Sequence, residues 1–81
     1  MNIPKPGQLW KVQTRVVVHP ADHSVPSLRE LYNGDVVLTL QAATTIPAGS
    51  EGFNGYYQIL YDERVYEVLN VAFGKQLQLV Q

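Results

Sequence analysis

The chain has 81 residues, enough for one domain spanning 1–81 and close to the lower size at which a single core holds a fold without staples. It has no cysteine, which excludes a disulfide framework and a cysteine-based zinc site. A formal net charge of −1 argues against a strong pull of the whole domain on nucleic acid or anionic lipid. The charge is uneven: residues 1–34 sum to +2 and residues 35–81 to −3. That division suits two faces, or complementary sides of neighbouring subunits, as well as it suits scattered solvated charge.

In chain order, Met1 to Gly7 carry no apolar leader core, and no apolar run reaches the length of a membrane span. Neither a leader nor a membrane segment is expected, and a cytoplasmic location is. From Leu9 to His19 the periodicity is two, the sign of a strand. Trp10, Val12, Thr14, Val16 and Val18 form the inward set; Leu9, Lys11, Gln13, Arg15, Val17 and His19 stand on the other face. A connection from His19 to Ser27 follows, where Pro20 and Pro26 argue against a ladder. Ser27–Tyr32 is the one segment with a helical signature, a Ser27 N-cap followed by Glu30 at the capping-box position.

Asn33-Gly34 suits a two-residue hairpin turn with positive φ at both central positions. Val36, Leu38, Leu40 and Ala42 then make a second inward set, with Val37, Thr39 and Gln41 outward. The long connection Ala43–Gly55 carries Phe53-Asn54 among its glycines, and a loop of that length suits either function or mobility. Tyr57, Ile59 and Tyr61 supply a third inward set, Tyr66 and Val68 a fourth, and Leu77 with Leu79 a fifth. Asp62-Glu63 joins the third strand to the fourth. These segments predict an all-β domain, a five-stranded antiparallel small barrel with at most one short helical turn.

Gln76–Gln81 closes the sequence without charge, proline or glycine, an unguarded strand that invites pairing with another chain. Gln76, Leu77, Gln78, Leu79 and Val80 are therefore candidates for the interface of a homo-oligomer.

The stretch LRELYNGDVVLTLQ, Leu28 to Gln41, resembles the opening of the Sm/LSm small barrel: a short helix, a glycine-bearing turn and an alternating aliphatic strand. It covers about one-sixth of the chain. The resemblance implies a ring-forming barrel that handles RNA or single-stranded DNA, closed where the last strand of one subunit pairs with its neighbour. The Asp-x-x-x-Asn and Arg-Gly signatures of that family are absent, so no RNA-contacting residue is carried over.

Candidates for nucleic-acid contact come from the residues themselves. Lys11, Arg15 and His19 recur along one strand face at steps of roughly 7 Å per two residues, a spacing comparable with successive phosphates. Tyr56 and Phe53, with Asn54 beside it, offer stacking surfaces. Solvated cations and packed aromatics are the plain alternative.

No chemistry of higher specificity appears. His19-Pro-Ala-Asp-His23 has two imidazoles at a four-residue spacing, but Pro20 denies them a shared helix face and no third ligand accompanies them, so no metal or cofactor is expected. Ser24 and Ser50 lack an elbow motif, and Asp62-Glu63 reads as a solubilising hairpin tip. Pro4 to Trp10 is similar to the first strand of small-barrel toxin ribonucleases, without their basic catalytic continuation. The expectation is a non-catalytic barrel that binds RNA or single-stranded DNA, with a self-associating protein-interaction module as the alternative.

Overall fold

The structure, a computed structural model, describes residues 4–22, 27–42 and 55–80. These form one antiparallel sheet of seven strands: β1 (Leu9–Val12), β2 (Val16–Pro20), β3 (Arg29–Leu31), β4 (Val36–Ala42), β5 (Tyr56–Tyr61), β6 (Arg64–Leu69) and β7 (Leu77–Leu79). The order across the sheet is β3-β2-β6-β5-β4-β1-β7. The sheet curls strongly into a half-barrel whose two ends are β3 and β7. Helix is confined, among the described residues, to a single 3-10 turn at Asn70–Ala72. The all-β expectation holds, whereas the five-stranded barrel is replaced by seven strands, with no closure among the described residues.

Two local events account for the extra strands. The expected long strand Leu9–His19 breaks at residues 13–15. Successive amides of a strand point to opposite sides, yet those of Gln13 and Thr14 both donate to the Gln76 carbonyl, at 2.7 and 3.3 Å. Strand geometry is lost there, and Thr14 leaves the inward set for solvent. Before the break β1 pairs with β4 and β7; after it β2 pairs with β3 and β6. Pro20 ends β2 opposite Tyr66, inside a ladder, contrary to the expectation from its ring.

The second event is at Arg29–Leu31. The expected helical turn is a strand instead, with Leu31 opposite Val16 and wholly buried. A six-residue helix has little stability of its own. Pairing with β2 satisfies the backbone and places Leu31 in the core, while Glu30 turns to Arg15 and Tyr32 rather than capping.

The concave face holds the core. Trp10 is 1% exposed and meets Phe73 edge-on at 4.8 Å; Tyr57 meets Phe73 edge-on at 5.8 Å. The 3-10 turn brings Ala72 and Phe73 onto this face, closing the space beneath β1 and β5.

In β4 the expected faces are reversed. Val37 and Thr39 point inward, and Val36 lies outside. Both faces of this strand carry aliphatic side chains, so alternation leaves its sense open. Pairing settles it: Val37 stands opposite Trp10, and a shift by one residue would exchange the faces.

The turns also exchange roles. At Asn33-Gly34 only Gly34 has positive φ, at 102°, and the turn leads between strands that do not pair with each other. The two-residue hairpin lies at Asp62-Glu63, where φ is 52° and 62° and Tyr61 faces Arg64. Both central residues are left-handed, the geometry that suits the twist of a tight hairpin.

Candidate functional site

The proposed nucleic-acid row is placed outward but divided. Lys11, Arg15 and His19 are all exposed. Lys11 lies on β1 between Val36 of β4 and Gln78 of β7. His19 lies on β2, opposite Glu67 of β6, with its ring edge-on to Tyr56 at 6.1 Å. Arg15 stands in the break between them and is paired with Glu30 at 2.9 Å. The structure thus brings His19 and Tyr56 together and sets Lys11 among the neighbours of β1. Phe53 and Asn54, with the loop that holds them, lie outside the described residues, as do His23, Ser24 and Ser50. Among the described residues no group of three or more His, Cys, Asp or Glu is arranged to hold a metal ion.

The outer face carries a feature that the face assignment of β4 concealed. Leu9 stands opposite Leu38, Leu38 opposite Leu60, and Leu60 opposite Val65. The Val80 amide donates to the Leu9 carbonyl at 2.8 Å, which extends the series by one more strand position. Their sequence neighbours Trp10, Val37, Ile59 and Tyr66 fill the core, so this is an aliphatic row on the outer surface. Val80 and Val65 at its ends are 55% and 38% exposed; Leu9, Leu38 and Leu60 are half-buried. A bulge between Thr39 and Gln41 in β4 adds Leu40 beside the row. Below it runs a polar row in which Gln41 donates to Gln58 at 3.1 Å, and Gln58 faces Glu67.

The two ends of the sheet differ in chemistry. At β3, Arg29 and Glu30 make up two of three residues, and both are engaged. Arg29 lies with its guanidinium 4.9 Å from the centre of the Tyr61 ring and donates at 3.2 Å to both the Tyr66 hydroxyl and Asp62. Tyr61 in turn donates to Asp35 at 3.0 Å. The Tyr66 hydroxyl is the main cause holding the Arg29 proton more firmly than usual. The Tyr32 hydroxyl at 2.6 Å, with Arg15 second, holds the Glu30 carboxyl below the usual carboxylate range. This cluster escaped the sequence reading because its members lie up to 37 positions apart.

At β7 no side chain is charged. Gln76 is half-buried, Leu77 is core, and Gln78, Leu79 and Val80 are exposed. Leu79 shares the face of buried Trp10, its partner on β1, yet is 45% exposed because no strand follows on its other side among the described residues.

No family model, curated protein or solved structure matches this chain. What it shares with the Sm/LSm barrel is the coarse architecture of a small, curled antiparallel sheet. Among the described residues no helix is long and apolar enough to cross a membrane.

Proposed function

We propose that this domain is a non-catalytic module that binds protein, using the open β7 edge and the aliphatic row that leads to it. The row carries the reading. Five aliphatic side chains aligned across adjacent strands, Val80, Leu9, Leu38, Leu60 and Val65, favour an apolar contact over a solvated face. The edge adds a backbone template beside Val80 that another strand can complete. Of the cations named for nucleic acid, Arg15 is paired with Glu30, which leaves Lys11 as the single cation of its stretch of β1.

Photo-cross-linking tests this. A benzophenone side chain at Val80 should yield adducts with protein in living cells, and one at exposed Leu28, beside β3 at the opposite end of the sheet, should yield none. Adducts at position 80 with nucleic acid alone, or equal protein labelling at both positions, would overturn the reading.

A second reading keeps RNA or single-stranded DNA as the ligand. It is favoured by the exposed His19 imidazole set edge-on to Tyr56, a ring N–H donor beside an aromatic face, suited to a phosphate and a stacked base. It requires that oligonucleotides bind at low salt and that Tyr56→Ala weaken them without changing the salt slope. No binding at tens of micromolar protein would remove it.

A further inference from the structure

We infer that the occupant of the β7 edge is a second copy of this chain, paired antiparallel about a two-fold axis that relates the two Leu79 residues. The inference rests on the protein-binding reading and names the partner. The Val80 amide donates to Leu9, and the Gln76 carbonyl accepts from Gln13. Backbone groups alternate along an antiparallel ladder. Residues 76, 78 and 80 therefore face β1, and residues 77 and 79 face away from it. The Leu77 carbonyl is already taken by the Gly74 amide at 2.7 Å. Leu79 is left presenting both its N–H and its C=O to the edge.

One residue that offers a donor and an acceptor side by side complements itself. Two copies related by a two-fold axis exchange both bonds between their Leu79 residues, an isologous contact that closes at two. The side chains agree with that register. The exposed Leu79 side chains meet across the axis, on the face of Trp10. On the outer face each Val80 falls opposite Gln78 of the other copy, which covers the exposed end of the aliphatic row. Identical edges with charged side chains would repel one another; Leu77–Leu79 has none.

A ring requires a different contact, β7 of one copy on β3 of the next. The β3 end carries Arg29 and Glu30, and both are already engaged, with Asp62, Tyr66, Arg15 and Tyr32. Charged side chains on a very short edge strand guard it against addition. One guarded end and one open end give a dimer, not a ring.

The test is sedimentation of the purified full chain over a micromolar concentration series, with disulfide trapping. The wild type should reach a dimer and no larger species. Leu79→Pro removes the edge-facing N–H without taking a bond from β1, and should raise the dimer dissociation constant at least about tenfold in a folded protein. Leu79→Lys, at an exposed position, is the second variant and should do the same by charge. Because the chain has no cysteine, Leu79→Cys should form a covalent dimer on mild oxidation, as directly opposed strand residues lie within disulfide reach. Val36→Cys, exposed on the outer face, should not. A trimer or larger ring, a dimer indifferent to both Leu79 variants, or a wild type monomeric at tens of micromolar would overturn the inference. If the chain is monomeric while position 80 still cross-links to a different protein in cells, the protein-binding reading stands and only the second copy falls.

Discussion

Single residues here take conformations and faces that their neighbours in sequence do not announce. Glu63 is the clearest case, a long side chain held at φ 62° in the hairpin between β5 and β6. Left-handed backbone costs a residue with a Cβ about 1–2 kcal/mol, part of which glycine returns through the extra freedom of its unfolded chain. Glu63→Gly should therefore stabilise the domain by about 0.5–1 kcal/mol, read as a higher urea midpoint at unchanged slope. Thr39 shows the opposite economy. It is buried, yet its hydroxyl accepts from the Gln8 amide at 2.8 Å and donates to the carbonyl of Lys5 or Gln8. The residue thus ties the segment ahead of β1 to β4. Thr39→Val keeps the shape and leaves the Gln8 amide without its acceptor, and should cost about 1–3 kcal/mol in chemical denaturation. A neutral result would show that water replaces the hydroxyl.

Among elements, β3 depends most on side chains, because three residues paired on one side leave few backbone bonds to hold it. Arg29 fastens it to Tyr61, Tyr66 and Asp62 across the concave mouth, and Arg15–Glu30 fastens it to the start of β2. Arg29→Ala should speed amide exchange in β3 more than in β5 or β6, and Arg29→Lys should recover only part, since an ammonium lacks the flat fork that reaches ring, hydroxyl and carboxylate together. Acid should loosen the same element. The Glu30 carboxyl is held below its ordinary value, so its contribution is present above that value and lost as the pH falls through the depressed one. Amide exchange of Glu30 and Leu31, followed downward in pH, should rise before that of β5. Uniform exchange across the strands would show that the pair does no local work.

For the whole molecule, tyrosines set an alkaline limit. Tyr61 is pushed above the ordinary phenol value first by its hydrogen bond to Asp35 and then by burial, Tyr32 first by its bond to Glu30, and Tyr57 by burial. A proton bound more tightly in the folded state gives stability that is whole below the ordinary value of 10.0 and is lost as the pH rises through the raised one. Thermal midpoints should fall above pH 10.0, and Tyr61→Phe should make that fall shallower. A curve identical to the wild type would mean that Tyr61 ionises without cost to the fold.

The sequence by itself determined the all-β class and the inward positions Trp10, Val12, Val16, Val18, Tyr57, Ile59, Tyr66, Val68 and Leu77, because in those segments only one of the two faces is continuously apolar. It determined the uncharged last strand in the same local way. The tertiary structure decided whatever depends on groups distant in the chain. A single carbonyl at Gln76 broke the first strand, burial of Leu31 made a strand of a helix-like segment, and Trp10 chose which face of β4 is inside. Where both faces of a segment are apolar, period two has two equal solutions, and only the partner strand distinguishes them. The outer aliphatic row is the consequence. Leu38 was legible as apolar, but its place on the outer face, and with it the case for a protein partner, came from the register.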